Sequence, residues 1–180
     1  MKQISLMLLC SIVSLTLIGQ NNASKKTQNP LIMTTEAVNR VVTQMFVATD
    51  QHQWNVVEAC FGAQVVLDYS SFTQQPAATL APQQITGAWK GVLPGFEHTH
   101  HQLGNFLTTV QGNKAQVFCY GTATHFLKNE KGNLWTVVGS YDFELQQENG
   151  SWKIIHMKFN FKYQTGNEGL AQKAIARLKK

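Results

Sequence analysis

The stretch LWTVVGSYDFEL, residues 134–145, sets Trp135, Val137, Gly139, Tyr141, Phe143 and Leu145 on one parity and Thr136, Ser140, Asp142 and Glu144 on the other. Residues two apart on a strand share a face and neighbours oppose one another, so this reads as a strand with an apolar inner side and a polar outer side. An antiparallel sheet covered on one side only has that pattern. Strands are expected over about 97–110, 114–128, 133–146 and 151–163. They are separated by Gln111-Gly112-Asn113, by Asn129 to Asn133 around Gly132, and by Asn149-Gly150. These short loops hold residues that accept positive φ, so consecutive strands fold back as hairpins.

Upstream, the apolar period becomes helical. Thr34 or Thr35 can cap a helix whose Val38, Val41, Val42, Met45 and Phe46 form one stripe. A second helix, over about 52–61, presents Trp54, Val57 and Phe61, and Gly62 is placed to stop it. AQVVLDYSSF, 63–72, reads as a strand. Thr79 and Pro82 open a third helix with Ile85, Trp89 and Val92 or Leu93, broken by Pro94-Gly95. Helices followed by consecutive antiparallel strands define an α+β fold, with the helices on one face of a curved sheet. The tail 168–180 can add a short amphipathic helix through Leu170, Ile175 and Leu178.

The first residues carry Lys2, an apolar run from Ile4 to Ile18 and then small and polar residues, the layout of a secretory signal over 1–23. The run is short for a membrane span. A secreted or periplasmic protein without a stable membrane anchor is therefore expected, with a polar linker over 24–33 and one domain over 34–164. Cys60 and Cys119 are too few for a disulfide scaffold and read as two buried thiols, although an oxidising compartment would permit a bridge between neighbours. The formal charge is +5. The lysines scatter through the hairpins and gather only in RLKK at 177–180, so no basic stripe supports nucleic-acid binding.

Strand parity also sorts the histidines of GFEHTHHQLGN, 95–105. His101 falls with Leu103, Asn105 and Leu107, whereas His98 and His100 fall on the opposite, solvated side. On the next strand His125 falls with Val117, Cys119, Gly121 and Ala123, a row whose small members leave room for a ligand. With the apolar rows inside, His101, His125, Asn105, Tyr141 and Tyr69 point toward the helices. An apolar cup with a few polar tips fits a small-molecule site. The alternative is that each histidine is a core residue bonded to a carbonyl or hydroxyl.

VVLDYSSF at 65–72, AWKGVLPGFEHTHHQLGN at 88–105, ATH at 123–125, LWTVVGSYDFEL at 134–145 and GSWKI at 150–154 resemble the SnoaL-like proteins of the nuclear-transport-factor-2-like superfamily. The resemblance spans about 34–164 and implies a cone-shaped α+β barrel, its strongly bent sheet wrapped around N-terminal helices with an internal pocket. Within that superfamily the chain is most similar to scytalone dehydratase. That likeness matches Tyr69 to a pocket tyrosine and His101 and His125 to the two catalytic histidines. It puts Val47, three residues before Asp50, at the place of the acid, Phe46 at that of a second tyrosine, and Tyr141 at that of an asparagine. The acid that would orient His125 is expected to be missing.

The expected activity is a lyase or isomerase reaction of dehydratase type on a small, oxygenated, cyclic substrate, with no cofactor. His101 and His125 would carry protons, and Tyr69 and Tyr141 would hydrogen-bond the substrate oxygen. Asn105, Trp89, Val47, Phe46, Leu107 and Phe143 would contact the ligand. The alternative is an exported carrier that binds an apolar ligand in the same cup without turnover. No metal site is expected, because two histidines on one face fall short of a ligand set. Phe118, Tyr120 and Phe126 alternate against the His125 row, and rings on the outer sheet face point to a homodimer or homotrimer.

Overall fold

The long apolar stripe of the first helix is what the sheet closes upon. In the computed structural model, which describes residues 30–180, helix α1 spans Pro30–Asp50 and buries Val38, Val42, Met45, Phe46 and Thr49. It starts four residues before the earliest cap expected, at a proline, which lacks the N–H that a first helical turn leaves unpaired. The signal and most of the linker lie outside the described residues. Helix α2 is Trp54–Cys60, and the chain passes directly into β1, Phe61–Asp68. Gly62 is thus a strand residue and not a helix stop. A Cβ there would lie 3.1 Å from Ile155 Cγ2, so its smallness serves packing.

The expected strand over 63–72 is cut short because Asp68 Oδ1 accepts the Ser70 N–H at 2.9 Å and starts a one-turn helix, α3, Ser70–Thr73. Tyr69 therefore stands at a corner between strand and helix. Strand β2, Ala78–Leu80, helix α4, Pro82–Lys90, and a 3₁₀ turn at Leu93–Gly95 follow. Then come β3, His98–Gln111, β4, Lys114–Phe126, β5, Leu134–Glu148, β6, Ser151–Gly166, and helix α5, Leu170–Arg177.

The expected α+β class holds. One six-stranded sheet has the order β2-β1-β6-β5-β4-β3. Its hairpins turn where expected, with Gly112, Gly132, Asn149 and Gly150 at positive φ. Two features differ from an antiparallel barrel. The sheet is curved but open, with β2 and β3 as its edges, and β1 runs parallel to β6. Register shifts bend it between Gly104 and Leu107, between Val138 and Gly139, and between Glu144 and Leu145. Among the described residues no helix is long and apolar enough to cross a membrane.

The first of these bulges reverses parity. Asn105 sits at φ 56°, in the left-handed region, and the chain beyond it is turned over. Phe106 and Val110 pack on the core in place of Asn105 and Leu107, both of which face outward, Leu107 at 70 % exposure. Tyr120 is exposed on the outer face as expected, with Leu107 and Tyr163. Cys60 and Cys119 are buried and unbridged.

Two glycines opposite one another, Gly121 on β4 and Gly139 on β5, let rings lie flat across the sheet. A Cβ on Gly121 would come within 2.3 Å of Tyr141 Cε2, and one on Gly139 within 2.3 Å of Phe159 Cε2. Overfilling a packed interior typically costs about 1–3 kcal/mol. Gly121→Ala is expected to lose about that much in a urea titration and to displace the Tyr141 ring. An unchanged midpoint would mean that the ring has space to retreat.

Candidate active site

Six side chains singled out by the sequence meet in one cavity. Tyr69, His101, His125 and Tyr141 line it together with Phe46 and Trp89, and the wall is completed by residues such as Trp135, Phe159 and Leu93. Its volume is about 150 Å³, comparable to a cavity that holds one benzene ring. Phe46 contacts both His101, with ring centroids 5.3 Å apart, and Tyr141, at 5.0 Å. The two imidazoles stand edge to face with centroids 6.0 Å apart, so one small ring could touch both.

The decisive polar group is one that strand parity does not reveal. Asp50, the last residue of α1, receives three hydrogen bonds from β3. His101 Nδ1 lies 2.7 Å from Oδ1, the Thr99 hydroxyl donates to Oδ1 at 2.8 Å, and the His101 backbone N–H donates to Oδ2 at 2.7 Å. Burial alone would raise the Asp50 carboxyl. The hydrogen bond and charge of His101, its backbone N–H and the Thr99 hydroxyl outweigh burial and hold the group below its ordinary value. A carboxylate only accepts, so Nδ1 of His101 carries a proton, and in the uncharged form of the ring the lone pair is on Nε2.

No acid orients His125, as the likeness implies, but an acid that it does not foresee stands three residues beyond Val47 and is paired with His101. Val47 lies on the outer side of α1 at 46 % exposure and takes no part in the cavity. The signal was available in the helical period, since Phe46 and Asp50 are four apart and share a face. Phe143 is also displaced from its expected place, fully buried beneath Phe46 and Tyr141 in the core and not at the cavity wall. Asn105 and Leu107 are excluded by the bulge. His98 and His100 are exposed, as parity implies, and Asp142 bonds Asn160 Nδ2 on the outer face.

His125 is built differently. Its ring packs against Phe96, 4.8 Å away, and against Trp135, 4.7 Å away and stacked at 27°. Its Nδ1 lies 3.2 Å from the Trp135 carbonyl oxygen. A carbonyl cannot donate, so Nδ1 donates, and the lone pair again sits on Nε2. Burial, and next the neighbouring His101, push its pKa down to about 4, against the opposing pull of the Trp135 carbonyl and Asp50. His125 is therefore neutral at physiological pH.

Neither Nε2 atom, nor either phenol, bonds another described residue, and none of them is sealed from the cavity. Burial raises Tyr69 above the ordinary phenol value, and burial followed by Tyr69 and Cys119 raises Tyr141 well above it. Both phenols remain protonated donors. The cavity thus presents two lone-pair acceptors and two hydroxyl donors against aromatic walls. Among the described residues no group of three or more His, Cys, Asp or Glu side chains could hold a metal.

An open, curved sheet with a buried polar cluster under N-terminal helices defines a pocket protein of the nuclear-transport-factor-2-like fold. A sequence model of the SnoaL-like domain matches residues 32–158, and the chain belongs to that family. The crystal structure of Kfla4162 from Kribbella flavida superposes with a TM-score of 0.70 at 21% identity, covering 79% of this chain and 98% of that one. A proposed scytalone dehydratase from Novosphingobium aromaticivorans gives 0.67 at 17% identity over 77% and 90% of the two chains. A hexachlorocyclohexane dehydrochlorinase from Novosphingobium barchaimii gives 0.64 at 14% identity over 77% and 93%. At such identities the likeness is one of fold. No protein of curated function matches the sequence.

Proposed function

We propose that this protein is a cofactor-independent lyase or isomerase that removes a proton next to the carbonyl of a small, oxygenated, cyclic substrate. The observation that carries the reading is the Asp50–His101 pair, whose free Nε2 opens on the cavity. Asp50 fixes the ring and its tautomer and stabilises the imidazolium that forms, the arrangement of a general base. Tyr69 and Tyr141 donate to the carbonyl oxygen as it gains charge. In an elimination, the electron pair of the broken C–H bond forms the new C=C bond as the C–O bond breaks, and the imidazolium returns its proton to the departing oxygen. In an isomerisation it returns the proton to another carbon.

His125 takes a different part from the one its sequence position implies. A neutral ring with its lone pair turned to the cavity cannot protonate a leaving group, and it accepts a hydrogen bond from a ligand hydroxyl instead. The reading is supported by the fold neighbours named for dehydration and dehydrochlorination, both of which are eliminations.

The test uses 3-hydroxycyclohexanone, a single ring of the size the cavity admits. Wild-type protein is expected to accelerate formation of the unsaturated ketone, read by its ultraviolet absorbance, or exchange of the α-protons in heavy water, read by NMR. Saturable binding without either reaction would replace the enzyme by a carrier. Absence of binding by this ring and by its phenolic and enone analogues would remove both readings.

A further inference from the structure

Helix α5 lies beyond the family match, which ends at residue 158, yet it is fastened to the wall of the site. Leu170 and Ala174 are fully buried in a small cluster with Phe96 and Leu127, apart from the main core, and Trp135 and Val92 pack against that cluster. The approach is backbone to backbone. A Cβ on Gly95 would lie 2.1 Å from the Ala174 carbonyl oxygen, so only glycine admits the helix this closely. The connection from β6 is tied as well, with Asn167 N–H donating to the Leu134 carbonyl at 2.7 Å and Asn167 Nδ2 to that of Gly132 at 3.0 Å. An exposed Arg177–Glu97 pair at 3.8 Å adds little.

Phe96 and Trp135, the two rings that this cluster presses together, are the two rings that pack against His125. Trp135 is fixed a second time by Nε1–H donating to Gln164 Oε1 at 3.0 Å, and its own carbonyl holds His125 Nδ1. Leu93, in the 3₁₀ turn that Gly95 completes, lines the cavity. We propose that α5 is a positioning element of the site, which holds Phe96 and Trp135 against His125 so that the imidazole keeps its Nδ1 on the Trp135 carbonyl and turns Nε2 to the cavity. The helix touches no substrate. Its effect passes through the two aromatic rings, and it goes beyond the proposed reaction because it holds for a carrier as well as for an enzyme.

The charged and titratable groups acting on His125 are His101 from β3 and Asp50 from α1, neither of which contacts α5. Undocking the helix therefore changes the burial of His125 and leaves these neighbours in place. The full-length Ala174→Arg variant puts a long cation where no side-chain space exists. In hydrogen exchange it is expected to lose protection over 170–177 while the strands keep theirs. The His125 midpoint, followed by NMR of the ring, is expected to rise by about one pH unit or more from its low wild-type value, since hydration relieves the penalty on the charged ring. Leu170→Ala, which removes apolar contact without adding charge, should shift it in the same direction by less. That variant decides the matter if the arginine variant does not fold. Loss of α5 protection with an unmoved His125 midpoint in either variant would overturn the proposal, whatever the protein does to any substrate.

Discussion

Asp50→Asn and His101→Gln are each expected to lower turnover by about 10²–10⁴-fold, and the double variant to fall little further, because a base and the group that orients it act as a unit. The reason lies in how the three hydrogen bonds are shared. Oδ1 receives both the His101 imidazole and the Thr99 hydroxyl, and Oδ2 receives the His101 backbone N–H. An asparagine amide has one oxygen and one nitrogen. If its NH₂ takes the Oδ2 place, two donors face each other across a part-buried contact, which costs about 1–3 kcal/mol. If the NH₂ takes the Oδ1 place, Nδ1 must become the acceptor, and the proton moves to Nε2. The lone pair that faces the cavity is then gone.

Nitrogen NMR of the His101 ring separates these outcomes from a simple loss of folding. The wild-type ring is expected as the Nδ1–H tautomer, and the same ring in the Asp50→Asn variant as Nε2–H or as a mixture. Unchanged turnover with an unchanged tautomer would show that Asp50 is a structural anchor for the start of β3 and no part of the chemistry. Full additivity of the two substitutions would argue the same.

That strand parity does not foresee the pair has a physical cause. The sheet is legible because a strand repeats every two residues. Trp135, Val137, Tyr141 and Leu145 advertise their common face without reference to any other part of the chain, and the NG and QGN loops mark where the chain turns. His101 and His125 are placed correctly on that basis. The Asp50 contact joins the last residue of a helix to a strand residue 51 positions further along the chain, and no local period encodes it. The family likeness puts Val47 at the place of the acid, on the side of α1 that faces away from the cavity.

The bulge at Asn105 is a second instance. A left-handed asparagine inside a strand inserts one residue and exchanges the faces beyond it, so parity counted from His101 fails at Phe106 and Leu107. The Gly-Asn pair at 104–105 is the available hint, being of the type that accepts positive φ. Tyr69 reaches the cavity by another route than the one expected, since Asp68 ends the strand and turns the chain. Its side chain arrives at the same place because it packs on Phe159, with centroids 5.7 Å apart.

The burial of His125 makes the fold sensitive to acid over a range that no carboxylate of the site shares. Its folded pKa, about 4, lies below the 6.5 of an unperturbed imidazole. Above pH 6.5 the ring is neutral whether the chain is folded or not, and it contributes no pH dependence. As the pH falls from 6.5, the unfolded chain binds a proton that the folded one refuses, and stability declines until the folded ring also protonates near pH 4. The loss over that window amounts to roughly 3 kcal/mol, from the 1.36 kcal/mol that accompanies each pH unit of displacement. Asp50 acts in the same direction but lower on the pH scale. Its pKa is lowered on folding, so its contribution is complete above the ordinary carboxyl value of 3.8 and fades only below it. Urea titrations of wild type and His125→Gln at about pH 7 and about pH 4.5 isolate the contribution of this ring, since the exposed histidines cancel in the difference. The wild type is expected to lose more stability than the variant between the two, by roughly 2 kcal/mol of the full amount at about pH 4.5. Parallel losses in the two proteins would mean that the folded ring is reached by water and can charge, and that His125 is then free to carry a proton after all.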